Sequence, residues 1–177
     1  MQSVICPGDF VIDATCGNGQ DTVFLAQLTG QQGKVMAFDI QAEAIRRTRQ
    51  LLLKYQCLEQ VTLIEDSHAN LGKYKPEKIK AAMFNLGYLP GGSHHIVTGS
   101  NDTITALKTI MELLVLGGMV TIVGYPGYEA GQQELSEVSE YLSGLNQKSF
   151  EVINIKAINQ RNNPPQILVC SRINGGM

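Results

Sequence analysis

Along the chain, short apolar runs of strand length alternate with stretches whose apolar residues recur at helical spacing. The runs "DFVIDA" (9–14), "KVMAFDI" (34–40), "QVTLIED" (60–66), "IKAAMFNL" (79–86) and "MVTIVGY" (119–125) predict five strands. Between them lie helical patterns. One is "DTVFLAQLT" (21–29), with Asp21 in its first turn; the next runs from Gln41 to about Tyr55, with Ala42, Ile45 and Leu52 on one face and Arg46, Arg47 and Arg49 largely off it. A third covers Asn101 to Leu116 through Ile104, Leu107, Met111 and Leu114, with Gly117-Gly118 as its stop. A fourth covers Gln132 to Ser143 through Leu135, Val138 and Leu142. Two more strands, "SFEVINIKAI" (149–158) and "PQILVCSRI" (165–173), flank the turn-rich "NQRNNPP".

Strands that alternate with helices pair parallel through right-handed crossovers. The pattern therefore predicts an α/β fold with a doubly wound, mostly parallel seven-stranded, Rossmann-like sheet. The last two strands have no helix between them and should pair antiparallel at one edge. With 177 residues, 44% of them apolar, the chain is expected to form one domain over residues 1–177. No apolar stretch reaches the roughly 18 residues that span a bilayer, and "MQSVICPGDF" lacks the basic-then-apolar order of a signal peptide. A cytoplasmic protein without membrane contact is the expectation.

Cys6, Cys16, Cys57 and Cys170 fall at no metal-ligand spacing, so reduced, buried or half-buried thiols and no metal site are expected. A net charge of −2 and a pI near 5.9 argue against broad, unspecific nucleic-acid binding, which needs a positive field. A nucleic-acid substrate would need a local patch. The visible candidate is "KYKPEKIK", with Lys73, Lys75, Lys78 and Lys80, and an ordinary solvated segment reads the same way.

In a doubly wound sheet the ligand sits outside the carboxyl ends of the strands, where strand order reverses. The first strand ends in "DATCGNGQDT", with Asp13, Gly17, Asn18, Gly19 and Asp21. Glycines let the backbone turn tightly and approach a nucleotide-like cofactor. A dinucleotide fingerprint needs a third glycine where Thr22 stands, and acids beside a pyrophosphate are repulsive. The same acids suit the ammonium and sulfonium of S-adenosylmethionine. Asp39, with the adjoining Ile40 and Gln41, ends the second strand where a carboxylate can accept from ribose hydroxyls, and Asp66, Ser67 and His68 end the third where an adenine would rest.

Taken in order, "VIDATCGNGQDTVFLA", "AFDIQAEAI", "LIEDSHANL" and "FNLGYLPGG" resemble class I S-adenosylmethionine-dependent methyltransferases. More narrowly, with "SHHIVT", "GYPG", "GQQE" and "NQRNNPP", the chain resembles the YtqB-like, rRNA-methylase-labelled family, nearly end to end. That family includes tRNA methyltransferases of the MnmM type, acting on 5-aminomethyl-2-thiouridine at the wobble position. The family pattern has a helix ahead of the first strand, where this chain has only a few residues before "PGDFVIDA", and it has an acid and a histidine where Ser93 and Tyr128 stand.

"FNLGYLPGG" carries no acid or base, yet methyl transfer from a sulfonium needs mainly alignment and exclusion of water. The resemblance places an amine between the Asn85 side-chain oxygen and the Leu86 carbonyl, with Tyr88 stacked on the base or facing the developing ammonium. Asn85 also borders the cofactor. An alkyl amine, with a pKa of roughly 10, must also lose a proton, for which His94 or His95 is placed, His94 by its family position. The expected function is N-methylation of the aminomethyl group of a wobble uridine in the tRNA anticodon loop. Methylation of an rRNA base amine, or a noncatalytic S-adenosylmethionine- or RNA-binding module, are the other readings. A homodimer is expected, because doubling gives a weakly charged small enzyme more RNA-binding surface.

Overall fold

The computed structural model describes residues 1–87 and 98–174. Alternating side chains place Val11, Val35, Ala37 and Ala81 in one buried cluster, and Ile12, Phe38, Ala82 and Phe84 in another on the opposite side of the same strands. Strands apolar on both faces need cover on both faces. The strands are β1 (Phe10–Asp13), β2 (Lys34–Asp39), β3 (Val61–Glu65), β4 (Ile79–Asn85), β5 (Leu114–Gly124), β6 (Phe150–Lys156) and β7 (Gln166–Arg172). The helices are α1 (Gln20–Thr29), α2 (Ala42–Lys54), α3 (Ser100–Leu113) and α4 (Glu129–Ser143), with a 3-10 turn over His68–Tyr74. Residues of α1 and α2 fill the first cluster, and those of α3, α4 and the 3-10 turn fill the second.

The strands form one seven-stranded sheet in the order β3-β2-β1-β4-β5-β7-β6. β1 to β5 pair parallel with one another, and β7 runs antiparallel to both β5 and β6. The antiparallel pairing expected at the edge is present, made by β7 inserted one place inside the edge strand β6. Strand order reverses between β1 and β4, so a crevice opens above their carboxyl ends.

Three local expectations need correction. Ala42 is exposed and Ile45 only half-buried; the buried stripe of α2 is Ala44, Thr48 and Leu52. Thr48 belongs to it because α2 lies directly on the loop after β1, where Thr48 Oγ1 donates to the Gly17 carbonyl at 3.1 Å. Gly117-Gly118 does not stop α3, which ends at Leu113. Leu114 already pairs with Ile79, its carbonyl accepts from Arg172 Nη1, and the register shifts before Met119 pairs with Ala81. The glycine pair makes this irregularity, with Gly117 at φ +70°. Lastly, α4 begins at Glu129, three residues before Gln132.

Gly19 shows what the loop after β1 demands. Its φ is +85°, and a Cβ there would lie 2.9 Å from Thr48 Cα. Gly19→Ala should therefore destabilise the fold by more than about 2 kcal/mol, the left-handed backbone alone costing roughly 1–2 kcal/mol. A urea unfolding midpoint unchanged from wild type would contradict that close approach.

Candidate active site

A cavity of about 990 Å³ opens at the strand-order reversal. Its wall is built from the ends of β1, β2, the 3-10 turn, β4 and β5, together with the segment before β7. Of the predicted cofactor residues, Gly17, Asn18, Asp21, Asp39, Ile40, Gln41, Asp66, Ser67, His68 and Asn85 all line it, as does Leu86. Gly19 and Asp13 do not: Gly19 faces Thr48, and Asp13 lies beneath the floor at 1% exposure. Tyr88 and His94, with Ser93 and His95, fall outside the described residues.

Asp13 takes its hydrogen bonds from inside the protein, from Thr22 Oγ1 at 2.6 Å and the Thr15 amide at 3.2 Å. Burial pushes its carboxyl up to about 7, against these hydrogen bonds and with help from the nearby charge of Asp21. Thr22, which stands where a dinucleotide fingerprint would need glycine, is thus a partner of the buried acid. Thr15 passes the order onward, its Oγ1 accepting from the Asn85 amide at 2.7 Å.

Asp39 staples the glycine loop to β2. One oxygen accepts from the Gly17 amide at 3.0 Å and the other from the Gln41 amide at 2.9 Å. Each carboxylate oxygen has a second lone-pair site, so ribose hydroxyls can still be accepted. Burial pushes the Asp39 carboxyl up, opposed by the amides of Gln41 and Gly17. Asn18 accepts from Arg47 Nη1 at 3.1 Å, which ties the loop to α2.

The third strand's end is organised by its own side chains. Asp66 accepts from the Ser67 amide, from Asn70 Nδ2 and from the Tyr74 hydroxyl, and the last two hold its carboxyl below the usual range. His68 is 8% exposed and its Nδ1 lies 2.9 Å from the Ala14 carbonyl, which can only accept; Nδ1 therefore carries the proton. Nε2 is buried with no hydrogen-bond partner among the described residues, and burial lowers the ring's pKa. His68 is a neutral wall residue, set edge-on against Phe84 with ring centroids 5.6 Å apart.

At the end of β4, the Asn85 side-chain oxygen accepts from the Tyr125 hydroxyl at 2.8 Å. This contact fixes which way the amide faces and leaves one lone-pair site on the oxygen. Tyr125 and Tyr128 both line the cavity, and sequence reasoning assigned neither a role in it. A usable signal was present: Tyr125 closes the run of the fifth strand, and strand carboxyl ends face the site. Gly131 lets α4 start close by, since a Cβ there would collide with the Tyr125 carbonyl and the Tyr128 ring. Asn162, Asn163, Pro164 and Pro165 of "NQRNNPP" also reach the cavity.

Other expectations fall elsewhere. Lys78 and Lys80 flank the amino end of β4, away from the cavity, and Lys80 donates to the Gly117 carbonyl. Cys16, Cys57 and Cys170 are buried free thiols, whereas Cys6 is exposed. Burial raises the Cys16 thiol far above its ordinary range, which disfavours the thiolate. Among the described residues, no helix is long and apolar enough to cross a membrane.

The sheet order and the crevice at its reversal are those of Rossmann-like S-adenosylmethionine-dependent methyltransferases. Residues 35–171 match the family described as "Putative rRNA methylase", and the chain belongs to that family. It is 48% identical to a chain from Clostridium thermocellum solved under the same description, with a TM-score of 0.95 over 97% of this chain and 92% of that one. It is 39% identical to a methyltransferase-fold chain from Streptococcus mutans solved in complex with SAH, with a TM-score of 0.87 and the same coverage. It is also 37% identical to the chloroplastic tRNA (mnm(5)s(2)U34)-methyltransferase of Arabidopsis thaliana, over 98% of this chain and 67% of the relative. The cofactor is S-adenosylmethionine, and the residues present fit it: a glycine loop held open by Asp39, beside the acid Asp21.

The buried acid gives a pH signature. Between Asp13's ordinary value of 3.8 and about 7, the folded chain keeps a proton that the unfolded chain releases, so this residue's contribution to stability falls as pH rises through that window. The wild-type urea midpoint, taken relative to Asp13→Asn, should therefore decline from pH 4 to pH 7, a window set by the two values. A difference that stays flat or grows with pH would show that Asp13 is ionised in the fold.

Proposed function

We propose that this methyltransferase acts on tRNA, transferring the methyl group to the aminomethyl nitrogen of a wobble uridine. The observation that carries the reading is the Asn85 amide oxygen, set at the end of β4 on the cavity wall and oriented by Tyr125. The cofactor supplies an electrophilic methyl group on a sulfonium; the protein's part is to aim a nitrogen lone pair. An amine that donates one N–H to Asn85 Oδ1 and another to the Leu86 carbonyl has its lone pair directed away from both, toward the cofactor. The choice of a wobble aminomethyl group is supported by the similarity to the Arabidopsis tRNA methyltransferase.

An alkyl amine with a pKa of roughly 10 is mostly protonated at neutral pH. Desolvation beside a sulfonium lowers that value, and His94 is the proton acceptor in this reading. Asp39 serves the cofactor, and Tyr88 serves the base. An anticodon loop entering over Tyr128 and the "NNPP" segment would meet rings and amides, groups that stack on or hydrogen-bond to bases.

Two variants separate the roles. Asn85→Ala should lower turnover by about 100-fold through misalignment of the amine, while S-adenosylmethionine affinity stays within about twofold, well below the loss of a charged hydrogen bond. Asp39→Ala should weaken cofactor binding by about 10-fold or more, because hydrogen bonds to a charged group contribute about 1.5–3 kcal/mol. Near-normal turnover in Asn85→Ala would end the amine-positioning account. For the substrate, nucleoside mass spectrometry of tRNA from cells lacking the protein should show loss of the N-methylated wobble nucleoside; loss of a methylated base from rRNA instead would move the substrate there.

A further inference from the structure

α4 carries an acid where its packing calls for an apolar residue. Glu134 is 5% exposed, beside Leu135, Val138 and Leu142 on the buried face. A buried carboxylate is costly unless hydrogen-bonded, and Glu134 is bonded on both oxygens: Oε2 accepts from Thr98 Oγ1 at 2.7 Å and Oε1 from Thr103 Oγ1 at 3.1 Å. Thr98 Oγ1 in turn lies 2.8 Å from the Gly87 amide nitrogen.

The direction of this chain is fixed by donor count. The Gly87 amide can only donate, so Thr98 Oγ1 accepts from it, and the single hydroxyl proton of Thr98 goes to Glu134. A charge at the far end strengthens the series. Gly87 is also held from its other side, the Thr98 amide donating to its carbonyl at 3.0 Å. Gly87 sits at φ +119°, a state open to glycine, and these contacts select it from the many that glycine could take.

The Leu86–Gly87 peptide is trans, since no cis bond is present among the described residues. In a trans peptide the C=O of one residue points opposite to the N–H of the next. Holding the Gly87 N–H on Thr98 therefore turns the Leu86 carbonyl away from Thr98 and keeps it there. We infer that Glu134, through Thr98, is a positioning residue that orients the Leu86 carbonyl as an acceptor for the substrate amine. The inference rests on the amine-methylation reading above. It gives a physical role to the Thr of "IVT" and the Glu of "GQQE".

The test combines kinetics with a spectrum that needs no substrate. Thr98→Val removes the hydroxyl at nearly constant shape; Thr98→Ser keeps it; Glu134→Gln keeps the volume and removes the charge. Thr98→Val should lower kcat by roughly 10- to 100-fold, the range set by misplacing a reacting group. KM and cofactor affinity should stay near wild type, Tm should fall only as far as one lost hydrogen bond to the buried Glu134 explains, Thr98→Ser should restore kcat, and Glu134→Gln should lie between. Labelling leucine carbonyls with carbon-13 and glycine amides with nitrogen-15 leaves three Leu-Gly pairs visible, 71–72, 86–87 and 116–117. Only the 86–87 cross-peak should move in Thr98→Val and return in Thr98→Ser.

The inference is overturned if Thr98→Val keeps wild-type kcat, if Thr98→Ser is as impaired as Thr98→Val, if the loss is in cofactor affinity or Tm alone, or if the 86–87 cross-peak stays in place. A wild-type enzyme inactive on aminomethyl-uridine tRNA would refute the functional reading instead, and the cross-peak would then decide whether Glu134 and Thr98 hold the peptide.

Discussion

The carboxyl end of β1 is where the sheet divides, and its backbone must find partners on both sides as the strands part. Ala14 donates to the Met83 carbonyl, Cys16 to the Phe38 carbonyl and Gly17 to Asp39, while the Ala14 carbonyl accepts from His68. Four bonds on three residues between 14 and 17 thus tie this segment to β4, β2 and the 3-10 turn. Buried polar backbone left unpaired is costly, so this segment has little freedom. The cavity exists because the chain spans the gap between β2 and β4 in this way, and the cofactor loop inherits its shape from those bonds.

Acids do most of the holding around that gap, in different electrostatic states. Asp13, fully enclosed, is pushed toward neutrality and supports Thr15 and Thr22 from below. Asp66, half-buried, accepts three hydrogen bonds, which hold its carboxyl below the usual range, and it organises the 3-10 turn. Glu134 is the counterpart on the far side of the site, buried under α4 with two threonine hydroxyls. Asp21 and Asp39 stand on the cavity wall, whereas Asp13 is enclosed beneath it.

The polar groups at the carboxyl end of β4 are supported from three elements. Thr15 holds the Asn85 amide nitrogen, Tyr125 holds the Asn85 side-chain oxygen, and Thr98 holds the peptide after Leu86. A reaction that needs alignment more than acid–base help gains from such redundancy, because each contact removes a degree of freedom from the acceptor oxygens.

The sequence alone determined the alternation of strands and helices, and with it a doubly wound sheet and the residues at the strand ends. Those patterns are local, since side-chain period and glycine conformation are set within a few residues. Asp39 and Asn85 were legible for that reason. Tyr125 on Asn85, Thr48 under Gly19, and Glu134 behind Thr98 were not, because these pairs lie 40, 29 and 36 residues apart (125 − 85, 48 − 19, 134 − 98). Their meeting depends on strand register and helix seating. The register that puts Asn85 beside Val123, two residues before Tyr125, is chosen by packing of the whole sheet. Only the tertiary structure could decide that the acid in α4 faces inward, because helical periodicity places a residue on a face but does not say which neighbours that face will meet.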